Sequence, residues 1–198
     1  MTFVNRNLEP YRGFHSFLRA ARLILERRPN AVILVVGGDE VSYGPKPPNG
    51  ETWRGLYLRE VFPDGPPANL KFVGKLPYPV FVNLLQASAA HVYLTYPFVL
   101  SWSMLEAMSA GALVIGSATA PVTEVIADGE NGLLVDFFSP SDIAAKVCAA
   151  LETPETFQDL RAAARAFIRD RYDLRKVCLP RHRAMIEDLT GQNLPADP

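Results

Sequence analysis

Short apolar runs at residues 2–5, 31–36, 70–73, 91–94, 113–115 and 132–135 alternate along this chain with longer stretches of helical periodicity, and few folds accommodate that alternation. Each run is followed by enough chain to cross over and return in the same direction, so the strands pair in parallel. Runs that are apolar at nearly every position need cover on both sides. The pattern therefore predicts an α/β fold, a doubly wound parallel sheet of about six strands with helices on both faces and a helical C-terminus.

The helices announce themselves separately. Residues 14–26 place Phe17, Leu18, Ala21, Leu23, Ile24 and Leu25 at a spacing that suits a helix laid on a sheet, and residues 78–87, with Pro79 near their start, do the same. Ser139-Pro140-Ser141-Asp142 combines a cap, a first-turn proline and an early carboxylate, which predicts a helix running to about Leu151. Residues 153–189 read as helical with a break near Tyr172-Asp173, and 190–198 as a fraying tail. Residues 41–67 depart from the alternation: Pro45, Pro47, Pro48, Gly50, Pro63, Pro66 and Pro67 surround a short helical pattern at 52–61, an insertion-like excursion at the edge of the fold. At 198 residues the chain is expected to form one domain with its own core.

Charge and composition exclude several classes of partner. Twenty Lys plus Arg against 21 Asp plus Glu give a net charge of -1, no broad field for a nucleic-acid backbone, so phosphate recognition has to be local. No apolar run approaches the roughly 20 residues that span a bilayer, and MTFVNRN lacks the apolar centre of a signal peptide. Cys148 and Cys178 lie outside any CxxC pattern and read as reduced thiols, which makes the cytoplasm the simplest compartment. His15, His91 and His182 are scattered without ligand spacing, and no metal is assigned.

Three segments carry candidate chemistry. Asn5-Arg6-Asn7-Leu8-Glu9-Pro10-Tyr11-Arg12-Gly13-Phe14 places two guanidinium groups and a glycine between a strand end and a helix start, where an open α/β sheet binds ligands and a helix N-terminus favours anions. Taken alone, these are equally two solvated loop arginines. In the segment from Phe98 to Gly111, a helix starting near Ser103 presents Glu106 in its first turn. Ser103 and Glu106 have capping-box spacing, so Glu106 is either a cap or a ligand near the strand ends. The segment from Ala120 to Val135 reads as a short helix opened by Pro121 and closed at Asp128-Gly129, then a turn at Asn131-Gly132 into a strand, with Glu124 solvated.

In order and together these segments resemble the C-terminal, donor-binding domain of the group 1 (family 4) glycosyltransferases of GT-B architecture, from Phe3 to about Arg171. The residues that carry the resemblance are Arg6, Arg12-Gly13, Val36-Gly37-Gly38, Phe72-Val73-Gly74, Leu105-Glu106-Ala107-Met108, Glu124 and the run from Asn131 to Val135. The resemblance implies a Rossmann-like domain that binds a nucleoside-diphosphate sugar in a retaining, metal-independent transferase with no further cofactor. By the same resemblance Arg6, Arg12 and Gly13 hold the diphosphate, Glu106 accepts the ribose hydroxyls, and Gly74, Lys75 and Leu76 border the base.

Two departures accompany it. The loop that grips the transferred sugar usually opens with a glutamate eight positions before the second one; here Phe98 stands there, followed by Val99, Leu100 and Ser101, so the sugar site is expected to be altered. Arg12 replaces the usual lysine, one residue further from Arg6. The resemblance also implies a missing N-terminal Rossmann-like acceptor domain, no certain catalytic residue in this half, no transfer by the chain alone, and room for peripheral membrane contact of the full enzyme. A nucleotide-sugar-binding module without transfer activity is the alternative.

Overall fold

A computed structural model describes residues 1–194. Among these, six strands, β1 (Thr2–Asn7), β2 (Ile33–Gly38), β3 (Leu70–Gly74), β4 (His91–Tyr93), β5 (Val114–Ser117) and β6 (Leu133–Val135), form one sheet in the order β3-β2-β1-β4-β5-β6. Every pairing is parallel. The helices are α1 (Phe14–Arg27), α2 (Trp53–Val61), α3 (Tyr78–Ala87), α4 (Trp102–Ala110), α5 (Ala120–Thr123), α6 (Pro140–Glu152), α7 (Gln158–Tyr172) and α8 (Leu179–Thr190).

Side-chain alternation along the strands divides the core into two layers. Phe3, Ile33, Val35, Val92 and Ile115 face α1 and α6 on one side, packed with Phe14, Phe17, Leu18, Ile143 and Val147. Tyr93 and Val114, one position along from Val92 and Ile115, face the other side with Leu85, Met104, Met108, Val122 and Ile168 of α3, α4, α5 and α7. Phe3 stacks on Phe17 at 4.0 Å between ring centroids, and burying an aromatic ring of this kind stabilises by about 1.5–3 kcal/mol.

The strand order reverses between β1 and β4, because chain order runs outward from β1 in both directions. At such a switch point the connections leaving two neighbouring strands diverge to opposite faces and open a crevice beyond their carboxyl ends. That crevice is where Arg6, the 97–101 loop and the start of α4 meet.

Several boundaries differ from those expected. β1 runs on to Asn7, so Arg6 belongs to the strand rather than to a loop, and a register irregularity between Val4 and Asn7 lets the polar residues continue the pairing. A bulge of this kind re-aims side chains. α5 ends at Thr123 instead of reaching Asp128-Gly129. Beyond it Asn131 is buried, its Oδ1 accepting from the Ala127 N–H at 2.8 Å and its Nδ2 donating to the Val125 carbonyl at 2.9 Å, which fixes the turn without helix. The excursion at 41–67 supplies the β2-to-β3 crossover through α2, whose Tyr57 packs edge-on against Phe14. Within the tail expected to fray, the Leu194 N–H bonds to Glu187 at 2.9 Å; residues 195–198 lie outside the described residues.

His91 is fully buried, with Nδ1 2.9 Å from the Thr2 hydroxyl and Nε2 unpartnered. Desolvation pushes its pKa down to about 4. The unfolded chain therefore binds the proton more readily between pH 6.5 and 4, and stability falls as pH drops through that window. From pH 7.5 to 5 the expected loss from this residue is ~2 kcal/mol. Urea denaturation at the two pH values checks it. The His91→Asn variant, which keeps a polar atom near the Nδ1 position, should lose markedly less over the same interval.

Candidate functional site

At the carboxyl end of the sheet a cavity of about 280 Å³ is lined by Val4, Asn5, Arg6, Val36, Lys75, Leu76, Phe81, Ser101 and Ser103. Its floor comes from β1 and β2, one wall from the segment between β3 and α3, and the other from the N-terminus of α4. Ser101 caps that helix, accepting from the Ser103 N–H, and the two serine hydroxyls lie 3.0 Å apart. The first backbone amides of a helix have no intrahelical acceptor, so they and the helix dipole favour an anion here. Arg6 is exposed and adds a guanidinium fork. Lys75, also exposed, pairs with Glu40 at 3.1 Å.

Of the residues singled out from the sequence, Arg6, Lys75, Leu76 and Ser101 line this cavity together. Gly74 closes β3 just before it in the left-handed conformation, φ 69°. Arg12 is elsewhere. The 3-10 turn at Pro10–Arg12 buries it beneath the loop after β4, where Nη1 donates to the Thr95 hydroxyl at 2.8 Å, the Val99 carbonyl at 2.9 Å and the Tyr93 hydroxyl at 3.3 Å. The Tyr43 and Phe98 rings lie 5.0 and 5.5 Å from its guanidinium carbon. Neutral oxygens and aromatic faces meet this charge, and the effect is to clamp the loop containing Phe98, Val99 and Leu100. Tyr93 receives the Ser101 N–H at 2.7 Å on the same phenol oxygen, and burial raises its pKa despite these donors.

Gly13 follows Arg12 at φ 70°, and a Cβ there would stand 2.4 Å from the Leu94 Cβ. This glycine is demanded by close packing of the α1 start on the sheet. Glu106 does not cap α4, since the helix begins one residue before Ser103 and Ser101 takes that role. Its carboxylate lies near the Tyr78 hydroxyl and holds the phenol pKa above its ordinary value. Glu106 lies three residues beyond Ser103 on α4 and is not among the residues lining the cavity. Glu124 is exposed at the end of α5.

Sequence reasoning missed Glu9. It is fully buried, and its carboxylate accepts the backbone N–H groups of Ser42, Tyr43 and Gly44 at 3.1–3.3 Å. That nest of amides holds Tyr43 against Arg12. A larger cavity, about 800 Å³, lies beyond β4–β6 among Tyr96, Phe137, Phe138, Asp128 and Asp136, and among the described residues no cationic side chain lines it. Among the described residues no helix is long and apolar enough to cross a membrane, and Cys148 and Cys178 are free.

Comparison with known proteins places this geometry. Residues 1–167 match the model of the glycosyl transferases group 1 family. An uncharacterized glycosyltransferase of Methanocaldococcus jannaschii is 25% identical over 177 residues, 89% of this chain and 42% of that protein. A D-inositol 3-phosphate glycosyltransferase of Kribbella flavida is 27% identical over 169 residues, 83% of this chain and 38% of the relative. The chain thus spans about two fifths of the length of these relatives.

Among solved structures, Anabaena HepE in complex with UDP-glucose superposes with a TM-score of 0.77 at 18% identity, covering 96% of this chain and 48% of that one. The C-terminal domain of the group 1 protein LpcC from Francisella tularensis superposes with a TM-score of 0.75 at 19% identity, covering 88% and 86%. A single doubly wound sheet, a cationic crevice at its switch point and a family match over most of its length lead to one conclusion: the chain belongs to the group 1 glycosyl transferases and has the Rossmann-like fold of the C-terminal half of a GT-B enzyme.

Proposed function

We propose that the cavity beside Arg6 binds the diphosphate of a nucleoside-diphosphate sugar, and that the chain is the donor-binding half of a retaining transferase that moves the glycosyl group to a hydroxyl acceptor. The observation that carries this reading is the convergence of Arg6, Lys75 and the N-terminus of α4 on one hollow at the switch point. Fixed donors aimed at a leaving diphosphate stabilise the charge that builds as the glycosidic bond breaks, the task a metal ion performs in other enzymes. Donor binding is therefore metal-independent in this reading.

A second domain, supplied by the rest of a longer protein, would bring the acceptor and close over the donor. This half alone binds donor without transferring sugar. The cavity is small beside the roughly 300–1,000 Å³ of complete ligand sites, as one wall of a two-domain cleft should be. A nucleotide-sugar-binding module without transfer is the second reading, favoured by Phe98, which lies against the Arg12 guanidinium where a sugar-gripping carboxylate is usual. The free cysteines suit a cytoplasmic setting.

Glu106 provides the test. If its carboxylate accepts ribose hydroxyls, Glu106→Gln weakens a ribonucleoside diphosphate by about 1.5–3 kcal/mol and weakens the analogue lacking the contacted hydroxyl far less. Calorimetry with 2′- and 3′-deoxy analogues measures the coupling. Losses equal for ribose and deoxyribose ligands within about 0.5 kcal/mol return Glu106 to a structural role.

A further inference from the structure

We propose that the second cation for the diphosphate in this chain is the side chain of Lys75, from the third strand connection, in the place that the family resemblance gives to Arg12. The proposal rests on the donor-binding reading and assigns within it which residue neutralises the second phosphate.

Three observations carry it. First, Lys75 lines the same cavity as Arg6, whereas Arg12 is buried under the 97–101 loop with its Nη1 committed to Thr95, Val99 and Tyr93. To reach the cavity Arg12 would have to give up those bonds and the faces of two rings. Second, the lysine arm passes directly over Gly38 at the end of β2. A Cβ on Gly38 would stand 2.7 Å from the Lys75 Cε and 3.3 Å from its Nζ. Gly38 closes β2 without a positive φ, so the space above it, and not its backbone conformation, is what the missing side chain provides. The lysine arm lies in that space across the carboxyl end of the sheet, and the unpartnered, buried Oδ1 of Asn7 would also stand 2.8 Å from the same Cβ.

Third, the lysine is free to move to a ligand. Its ion-pair partner, Glu40, is 78% exposed, and such a pair is worth roughly 0–1 kcal/mol. A phosphate with two charges, beside Arg6 and the α4 amides, competes readily for the ammonium. A lysine also suits the geometry required. It acts as a point charge on a flexible stem and tolerates movement of the phosphate, where an arginine fork fixes one orientation.

The test uses the whole chain and calorimetric titration with UDP, GDP and ADP and with UMP, GMP and AMP, reading the preference for diphosphate over monophosphate of the best base. Lys75→Gln is expected to reduce that preference about tenfold, with monophosphate affinity changed less than about threefold and, because the side chain is exposed, thermal stability unchanged. Lys75→Arg should keep most of the preference. Gly38→Ala, whose methyl displaces the lysine arm, should reproduce part of the loss with residue 75 intact. Glu40→Gln, which removes the competing carboxylate, should change the preference in the opposite direction. A preference retained within twofold in Lys75→Gln overturns this assignment alone. A wild-type chain that binds none of the six nucleotides overturns the donor-binding reading beneath it.

Discussion

Replacing Gly13 with alanine is expected to destabilise the chain by ~3 kcal/mol, lowering its melting temperature by about 6–12 °C. Two costs combine. At φ 70° any side chain meets the steric penalty of the left-handed region, about 1–2 kcal/mol. The added methyl would also sit 2.4 Å from the Leu94 Cβ and 2.8 Å from its Cδ1, where fully buried core has no room to retreat. Gly111, the α4 C-cap, separates the two terms, because it has φ 82° and nothing within 4 Å of where a methyl would stand. Gly111→Ala should cost only about 1 kcal/mol. Equal costs at the two positions, measured by thermal and urea unfolding, would show that packing against Leu94 contributes nothing.

Loss of Glu9 should be nearly as damaging, for a different reason. Glu9→Ala is expected to cost about 2–3 kcal/mol, the range for bonds to a charged acceptor, because one carboxylate serves the amides of Ser42, Tyr43 and Gly44. Glu9→Gln, with one acceptor oxygen in place of two, should recover roughly half of that. The damage should also spread. Tyr43 lies over Arg12, so freeing the 42–44 turn removes one aromatic face from the guanidinium that clamps the Val99 carbonyl. Hydrogen exchange should then accelerate both at 42–44 and at 97–101. Acceleration confined to 42–44 would mean that the two loops are independent.

Most of the fold was legible because hydrophobic alternation is a global signal: each buried strand and each helix facing it repeats the same information. Strand ends were less so. Asn5, Arg6 and Asn7 are polar, yet backbone pairing continues through them, and pairing is indifferent to the side chain that hydropathy reads. The cap of α4 moved from Ser103 to Ser101 because two serines two residues apart satisfy the same cap chemistry, and the spacing to Glu106 favoured the wrong one.

The site was harder to read. Arg6 and Arg12 are neighbours in sequence, but a 3-10 turn starting at Pro10 rotates Arg12 beneath the loop after β4, while Lys75 arrives at the cavity from another connection. Glu9 left a faint local trace, a carboxylate just past a strand and before a proline. Its role depends on a turn 33 to 35 residues away, which no local pattern reports.

On the proposed function, the cavity beside Arg6 takes a nucleoside diphosphate without help from a metal. Calorimetric titration of the chain with UDP, GDP and ADP, in EDTA and again in magnesium, should show saturable binding of at least one of them with nearly the same affinity in both conditions, since Arg6, a second side-chain cation and the α4 amides meet the charge. Absence of binding by all three, or a tenfold loss on chelation, about 1.4 kcal/mol, would contradict it.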